Sequence, residues 1–289
     1  MKAEDTPEWG PLWKQVIDKE KKRLIFTSLG SGSSGNCYLI TNGGESLIID
    51  AGIGIRKTLK AIATLPYDLG SKPIRAIFVT HDHADHTRAV VPLAYKLQVP
   101  IYASPLVARA LRLHRYASDD INAYLRVMPV GSSVQIGDMS LSSFEVPHDA
   151  THNVGYQIKT DQNCLSIITD IGHITEEITR VIEESNHLVF ESNYDETMLA
   201  TGRYPDYLKE RIRSGIGHIS NRLAAEAITM HYHSKLRSII LCHLSQDNNH
   251  PQLARTTLTN MLETELGNLP SSLRIEVLPR TETTIFTLS

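Results

Sequence analysis

The chain has 289 residues, of which 41% are hydrophobic and 21% are charged. Both fractions lie near the averages of globular proteins, which excludes a disordered, collagen-like or coiled-coil chain. Its 29 basic and 32 acidic residues give a formal net charge of −3, so any contact with nucleic acid must come from a local basic patch. The length permits either two small domains or one large layered α/β domain.

The N-terminal residues and the cysteines indicate a cytoplasmic protein. Residues 1–22 carry acidic side chains and lack the apolar stretch of a secretory signal, so we expect a loose N-terminal extension with at most a short helix. Three cysteines without CxxC spacing, Cys37, Cys164 and Cys242, indicate reduced and buried thiols. No run of 18 apolar residues occurs, so no membrane span is expected.

From Leu24 onward, short β-branched or aromatic runs alternate with helical patterns. Strands are predicted at LIFTSLG, CYLIT, SLIIDAG, RAIFVT and PIYAS, and helices over 56–64 and 87–97. The segment SVQIGDMSLSSFEV predicts two strands around a Gly-Asp turn, and YQIKT and CLSIITD are the next strands.

The C-terminal half continues the alternation of strands and helices. A helix is predicted over 174–185, with Thr175 as its N-cap, and LVFES is the next strand. There follow a long polar helical stretch over 194–214, a helix over 220–233, the strand SIILCHL, and a last helix and strand. This order favours one domain, residues 23–289, built of two β-sheets with helices outside.

The most informative segment is His81-Asp-His83-Ala-Asp85-His86, at the end of an apolar strand. Packed histidines depress one another's protonation, and neutral imidazoles beside a carboxylate are ligands that a divalent cation such as Zn²⁺ prefers. A lone HxH is more often a solvent-facing or core histidine. HxHxDH after a strand is much more specific, and its spacing suits two ions that share one loop.

This motif resembles that of the metallo-β-lactamase-fold hydrolases. The resemblance implies an α/β fold, a four-layer αββα sandwich of two mixed β-sheets with outer helices. It also implies further ligands at the ends of strands, which are His148 in EVPHDA, Asp170 in SIITDIG and His243 in IILCHLS. His152 is a rival of His148, but the strand-final position of Pro147-His148 favours His148.

The resemblance assigns the ligands to two divalent ions, with Zn²⁺ as the first expectation and Mn²⁺ as the alternative. The ligands are His81, His83 and His148 for the first ion, Asp85, His86 and His243 for the second, and Asp170 as a bridge. Asp50 in SLIIDAG matches an aspartate that supports the ligand loop from behind. His173 is another candidate for a supporting role. Cys242 lies beside His243, but successive strand residues point to opposite faces, so we expect a buried, inert thiol.

A closer resemblance runs through SLGSGSSGNCYLI, PHDA, FESNYDETMLATGRYP, GHISN and HLSQDNN. These segments are similar to those of the YycJ/WalJ type of bacterial metallo-β-lactamase-fold protein, over residues 24–260. That group is regarded as DNA exonucleases linked to mismatch repair. The resemblance therefore implies a nuclease that hydrolyses DNA with 5′-to-3′ polarity.

Glu191 in LVFES and His218 in GIGHIS resemble a pair in the tRNA 3′-processing endonucleases of the same superfamily, where such a pair relays a proton to the leaving oxygen. Together with Asp85 they form the expected catalytic set. The alternative is that Glu191 faces solvent and that His218 merely caps the helix starting near Ser220.

Two further groups are candidates for substrate binding. The loop Gly30–Asn36 offers backbone N–H groups and hydroxyls as a phosphate cradle, through Ser31, Ser33, Ser34 and Asn36. Its alternative role is a turn that local backbone angles require. Arg203 belongs to an arginine group that also contains Arg211, Arg213 and Arg222, and this group either holds a nucleic-acid backbone or forms a solvated helical face.

The favoured reaction is phosphodiester hydrolysis, because Asp85 replaces the cysteine of the zinc β-lactamases and two ions can activate water. His243 follows Asp170 by only 73 positions, so the site lacks a large insertion and a strand end can enter it. The alternatives are an RNA-processing endonuclease, a small cyclic phosphodiesterase, a thioester hydrolase of the glyoxalase kind, and a metal-stabilised binding protein. The expected partner is nucleic acid, DNA rather than RNA; the sequence leaves the oligomeric state open.

Overall fold

The computed structural model describes residues 23–67, 69 and 74–289, and the predicted N-terminal extension, residues 1–22, lies outside the described residues. Two β-sheets of seven strands each pack face to face in the described part of the chain. Helices cover both outer faces. This architecture confirms the predicted αββα sandwich of two mixed sheets.

The first sheet has the strand order β14-β1-β2-β3-β4-β5-β6. Its strands are β1 (Leu24–Gly30), β2 (Cys37–Asn42), β3 (Glu45–Ile49), β4 (Ile74–Phe78), β5 (Ile101–Ala103), β6 (Leu125–Val127) and β14 (Thr284–Leu288). Neighbours from β14 to β3 are antiparallel, and those from β3 to β6 are parallel. Leu24 of β1 lies opposite Leu288 of β14, so the first and last strands are partners.

The second sheet has the order β13-β12-β11-β10-β9-β8-β7. Its strands are β7 (Ser133–Ile136), β8 (Met139–Glu145), β9 (Val154–Lys159), β10 (Cys164–Ile168), β11 (His187–Glu191), β12 (Ser238–Cys242) and β13 (Arg274–Val277). Strands β10 to β13 are parallel, and β7 to β10 are antiparallel. The turn between β7 and β8 contains Gly137 and Asp138, as the Gly-Asp pattern predicted.

The described helices connect the strands and lie on the outer faces. They are α1 (Ile55–Ala63), α2 (Ala84–Thr87), α3 (Val90–Leu97), α4 (Pro105–Arg112), α5 (Ile121–Tyr124), α6 (Glu176–Glu184), α7 (Glu196–Thr201), α8 (Asp206–Arg213), α9 (Asn221–Met230) and α10 (Pro251–Leu266). Thr175 caps α6, as predicted, by accepting the amide hydrogen of Ile178. None of the helices in the described residues has the length and apolar character needed to cross a bilayer.

The core consists of one layer between the sheets and one on each outer face. The inter-sheet layer includes Phe26, Tyr38, Phe78 and Tyr156, all fully or almost fully buried. Helices α1, α3 and α4 cover the first sheet, and α6, α9 and α10 cover the second. The parallel strands are therefore buried on both faces, which explains their continuous apolar runs such as Ser238–Cys242.

The long helix predicted over 194–214 is wrong. The structure has two short helices there, α7 and α8, separated by residues 202–205. Pro205 is the N-cap of α8 and has an extended backbone. Proline cannot donate a helical hydrogen bond and disfavours helical geometry at the preceding residue, so the polar pattern cannot continue through it.

The carboxyl ends of the central parallel strands meet at one edge of the sandwich. Asp50 follows β3, His81 follows β4, Asp170 follows β10, and His243 follows β12. Glu191 is the last residue of β11. The topology alone therefore collects these polar side chains, which are far apart in the sequence, at a single rim where ligands bind in α/β folds.

Candidate metal centre and active site

Three of the acidic and histidine residues at this rim have a left-handed backbone. The φ angles of Asp50, Asp170 and His243 are 58°, 59° and 53°. This conformation is rare in non-glycine residues and clusters at functional sites. Here it ends each strand abruptly and turns the side chain across the gap between the sheets.

The HxHxDH segment brings its histidines together with His148. The ring centroid of His81 lies 4.7 Å from that of His83 and 5.1 Å from that of His148. One nitrogen from each of these three rings lies within 4.8 Å of the others. This spacing fits three ligands of a single cation.

Asp170 lies between that group and a second one. Its Oδ2 atom is 3.2 Å from His86 Nε2 and 3.2 Å from His243 Nδ1, while its Oδ1 atom is 3.7 Å from His148 Nε2. Asp85 reaches the second group through Oδ2, 3.5 Å from His86 Nε2. The carboxylate of Asp170 therefore lies within 4 Å of both groups.

Asp50 fixes the orientation of His86 from behind. Its Oδ2 atom accepts hydrogen bonds from His86 Nδ1 at 2.7 Å and from the hydroxyl of Thr80 at 2.8 Å, and its Oδ1 atom accepts from Thr80 N at 2.9 Å. The proton on Nδ1 leaves Nε2 of His86 directed at the centre. Thr80 precedes the motif directly, and the sequence analysis did not single it out.

Two buried nitrogens in the centre have no hydrogen-bond partner. His148 Nδ1 donates to the carbonyl of Gly217 at 2.8 Å, and His81 Nδ1 lies 3.0 Å from the Thr80 hydroxyl, which itself donates to Asp50. The Nε2 atoms of His81 and His148 therefore each carry a lone pair. Both atoms are buried, and neither has a hydrogen-bond partner among the described residues. Burying such groups is costly unless something binds them, and a divalent cation fits this donor set.

The local electrostatics keep His81, His148 and Asp170 in the protonation states that bind a cation. Burial and the neighbouring His86 lower the pKa of His81 well below its usual value. Burial, with a contribution from His218, lowers the pKa of His148. Burial opposes ionisation of Asp170, but His243 and His86 outweigh it and hold the pKa of this carboxyl well below its usual range. Metal ligands need this combination of neutral imidazole and ionised carboxylate.

Glu191 and His218 form a hydrogen-bonded pair beside the centre. Glu191 is fully buried, its Oε1 accepts from His218 Nδ1 at 2.7 Å, and its Oε2 accepts from Ile171 N at 2.7 Å. Burial disfavours the imidazolium, but the Glu191 carboxylate outweighs burial and raises the pKa of His218 to about 9. The solvent-facing alternative for Glu191 is thus wrong, and the N-cap of α9 is Ser220, not His218.

A pocket of about 160 Å³, which we call the catalytic pocket, opens next to this pair. Its lining includes His218, His243, Ser33, Asn193, Tyr204, Arg211, Asp149 and Ser245. Arg211 Nε donates to Asp149 Oδ2 at 2.5 Å, and Asn193 Nδ2 donates to the carbonyl of His243 at 2.9 Å. The sequence analysis did not assign Asp149 or Asn193, although each lies within two residues of an assigned residue.

The glycine-rich loop, Gly30–Asn36, does not form the predicted phosphate cradle through Ser31 and Asn36. Both side chains are fully buried. Ser31 Oγ accepts the amide hydrogen of His243 at 3.0 Å, and Asn36 Nδ2 lies 2.9 Å from His86 Nε2. Their polar groups support ligands and are not available to a substrate. Only Ser33 and Ser34 are exposed.

The backbone of this loop packs against the ligand loop. Asn36 N donates to the carbonyl of Asp85 at 2.7 Å, and Gly52 N donates to the carbonyl of Asn36 at 2.8 Å. A methyl group on Gly52 would overlap the carbonyl of Asp85. Gly35 has a φ of 148°, and a Cβ there would lie 2.7–2.8 Å from the Gly52 backbone. The glycines thus permit close contact of three backbone segments beneath the site.

The remaining candidates lie outside the centre. Arg203 is exposed and does not line the catalytic pocket. Arg213 pairs with Glu210 and Arg222 with Glu196, so their charges are largely offset. His152 Nδ1 bonds to Ser104 Oγ at 2.8 Å, and His173 Nδ1 donates to the carbonyl of Gly215 at 2.8 Å, so the structure places neither among the ligands. Cys37, Cys164 and Cys242 are free and buried, as predicted.

Comparison with known proteins gives the same family for most of the chain. A model of the beta-lactamase superfamily domain matches residues 46–244. The exodeoxyribonuclease WalJ of Streptococcus pneumoniae is 32% identical over 245 residues, which cover 84% of this chain and 90% of that protein. The exodeoxyribonuclease YycJ of Bacillus anthracis is 35% identical over 240 residues, covering 83% and 89%.

Solved structures match the fold at low identity. Zn²⁺-bound PqqB from Methylobacterium extorquens has a TM-score of 0.67 and 17% identity, covering 90% of this chain and 99% of that chain. The short form of human tRNase Z has a TM-score of 0.57 and 16% identity, covering 90% and 98%. These similarities concern the arrangement of the sandwich.

Proposed function

Since the chain belongs to the metallo-β-lactamase superfamily and is a hydrolase, we propose that it is a metal-dependent DNA exonuclease. The observation that carries the proposal is the Glu191–His218 pair on the wall of the catalytic pocket, directly beside the buried cluster of histidines and carboxylates. Two relatives named exodeoxyribonucleases align over about nine-tenths of their own length, which supports DNA as the substrate.

The close grouping of His81, His83 and His148 and the unpaired Nε2 atoms of His81 and His148 support the binding of divalent ions. We assign the first ion to His81, His83 and His148, the second to Asp85, His86 and His243, and a bridging role to Asp170. Two such ions, when bound, would activate water and stabilise negative charge on the phosphate oxygens. The donor set favours Zn²⁺, with Mn²⁺ as the alternative.

In the proposal, His218 provides the proton for the departing oxygen of the sugar. The alkoxide of a sugar is a poor leaving group at neutral pH, so a positioned acid accelerates its departure. His218 donates its Nδ1 hydrogen to Glu191, so its Nε2 is the atom that remains for the substrate. Glu191 is held by the amide hydrogen of Ile171 and cannot turn away. Its role is to position the ring of His218.

Arg211 and the exposed serines provide substrate contacts in the proposal. Arg211 lines the catalytic pocket, and its Nε donates a hydrogen bond to Asp149. Ser33 lines the same pocket and Ser34 is its exposed neighbour. The predicted binding role of Arg203 has no support from its position, so we do not retain it.

The short chain between Asp170 and His243 supports exonuclease action. Between Asp170 and His243 the chain contains only α6 to α9 and the strands β11 and β12. A free strand end can therefore reach the site. The 5′-to-3′ polarity and a role in mismatch repair rest on the resemblance to the YycJ/WalJ type.

The decisive experiment offers the purified protein four substrates in the presence of Zn²⁺ or Mn²⁺: duplex DNA labelled at the 5′ or the 3′ end, single-stranded DNA, a precursor tRNA and a cyclic nucleotide. We expect stepwise shortening of DNA from its 5′ end. Fast hydrolysis of the cyclic nucleotide or of the tRNA without any loss of DNA would refute the proposal.

A further inference from the structure

A second pocket, of about 370 Å³, adjoins the glycine-rich loop. We call it the basic pocket. Its walls come from the loop, from α1, from the residue after α2 and from the segment before β14. Its volume lies within the range of pockets that bind small molecules or single nucleotides.

Four cationic side chains line the basic pocket: Lys57, Lys60, Arg88 and Arg280. No acidic side chain from the described part of the chain belongs to its lining, and Glu282, which is close in the sequence, lies outside it. Among the residues that the structure describes, none of the four cations forms an ion pair with a carboxylate. This is a local excess of positive charge in a protein with a net charge of −3.

Apolar and hydroxyl-bearing residues also line the basic pocket. The apolar ones are Leu29, Ile53 and Ala61, and Ser34 and Thr281 are among those that carry hydroxyl groups. A nucleotide has groups that match both kinds of lining residue. Its base and sugar have apolar faces, and its phosphate is an anion. A pocket lined by both apolar and cationic side chains therefore fits a phosphate-linked chain of nucleotides.

Consecutive residues of the glycine-rich loop line the catalytic pocket and the basic pocket. Ser33 lines the catalytic pocket, and its neighbour Ser34 lines the basic pocket. Arg88 Nη1 donates to the carbonyl of Ser34 at 3.3 Å, and Arg280 Nη1 lies 3.5 Å from the carbonyl of Ser245, which lines the catalytic pocket. A strand that crosses this loop would reach both pockets with neighbouring nucleotides.

We infer that the basic pocket binds backbone phosphates of the DNA strand beside the phosphodiester bond that is hydrolysed. The inference rests on the proposed nuclease function and locates its strand-binding surface. It replaces Arg213 and Arg222 of the arginine group around His218, because these two are paired with carboxylates. Lys57 and Lys60 lie one turn apart on α1. Their positive charges can contact the backbone phosphates of DNA whatever its base sequence.

The test compares the double variant Lys57→Gln/Lys60→Gln with the control Lys96→Gln/Lys235→Gln. The control removes two exposed lysines that line neither pocket, so the net charge changes equally. Each protein, loaded with Mn²⁺, is assayed on a single-stranded DNA of twenty nucleotides at several salt concentrations. Bis(p-nitrophenyl) phosphate, which has no flanking nucleotides that could reach the basic pocket, reports the basal chemistry.

We expect the KM of the pocket variant for DNA to rise about tenfold at about 0.15 M salt. The variant neutralises fewer phosphates, so its binding to DNA releases fewer counterions and is weaker. The slope of log KM against log salt should fall by about 1.4, since it changes by roughly 0.7 per contact on single strands. Hydrolysis of bis(p-nitrophenyl) phosphate should be unchanged, and the control should match the wild type on both substrates.

If the two double variants had the same KM and the same salt slope, the inference would be overturned. Degradation of DNA by the wild type would still support the nuclease function in that case. A wild type that hydrolyses bis(p-nitrophenyl) phosphate but not DNA would overturn both. An RNA of the same sequence provides the last comparison. If the KM for RNA but not the KM for DNA depended on the two lysines, the basic pocket would be assigned to RNA. Its assignment to DNA would then be overturned.

Discussion

At the scale of single residues, the site depends on side chains that the backbone holds in an unfavourable conformation. Asp50, Asp170 and His243 each occupy the left-handed region, which costs on the order of 1–3 kcal/mol per residue. Hydrogen bonds to Thr80 and Ser31 hold two of these positions in place. A glycine would relieve the strain but would remove the polar side chain, so the strain is tied to the function.

His218→Ala tests proton donation at this scale. We expect kcat on DNA to fall by about 10²–10⁴, because the sugar oxygen then leaves without an acid. On a substrate whose leaving group is p-nitrophenolate, which departs without a proton, the loss should be within about tenfold. The measurement is kcat on both substrates, with His173→Ala, at an exposed histidine, as control. Equal losses on both substrates would show that His218 holds the structure or the metal instead.

Asp50→Asn tests the support of His86. Asparagine has a similar size but no negative charge. It therefore cannot replace the carboxylate that accepts hydrogen bonds from His86 Nδ1 and from the hydroxyl of Thr80. We expect metal affinity to fall by about 10–100-fold, in line with other partners of metal-bound histidines. Titration against a chromophoric chelator measures it, and Asp119→Asn, at an exposed aspartate, is the control. Unchanged affinity would remove Asp50 from the metal centre.

At the scale of elements, the strands were predictable because each is a short apolar run that ends at a turn signal. The ligand positions followed, since His81, His148 and His243 stand where those runs stop. The helix over 194–214 was not predictable from polarity, because Pro205 interrupts it. The basic pocket was missed because its four cations come from three separate segments, which only the fold brings together.

Gly52→Ala tests the contact between backbone segments. The new methyl group meets the carbonyl of Asp85, so either the ligand loop moves or the chain is strained. We expect a loss of about 3 kcal/mol in the free energy of unfolding, as for severe overpacking, together with weaker metal binding. The control is Gly44→Ala, at a hairpin turn with open space around it, which should lose about 1 kcal/mol and keep the metal. The comparison uses urea denaturation and metal analysis.

At the scale of the whole molecule, a buried histidine far from the site makes stability depend on pH. His187 lies at the start of β11, where its ring contacts Ser238 Oγ at 2.8 Å and Asn163 Oδ1 at 3.0 Å. Burial, with a contribution from the charge of Arg237, lowers the pKa of His187 to about 4. The unfolded chain, with a pKa near 6.5, therefore binds more protons between these two values.

The stabilising effect of neutral His187 is complete above about pH 6.5 and is lost as the pH falls toward 4. This group alone should lower the free energy of unfolding by about 3 kcal/mol across that window. In His187→Gln the decrease between pH 7 and pH 4.5 should be smaller by most of that amount. Urea denaturation at both pH values measures it, with His173→Gln as reference. Parallel pH profiles for wild type and His187→Gln would contradict the assignment.

The pairing of β1 with β14 has a consequence for the order in which the chain can fold. Ile25 has neighbours on both sides, Thr41 in β2 and Thr287 in β14. During synthesis the β2 side can close early, but the other edge of β1 stays open until β14 has left the ribosome. An open edge strand is a template for association with other chains. Removing the final strand should therefore leave a protein that aggregates, even though every residue of the metal centre is still present.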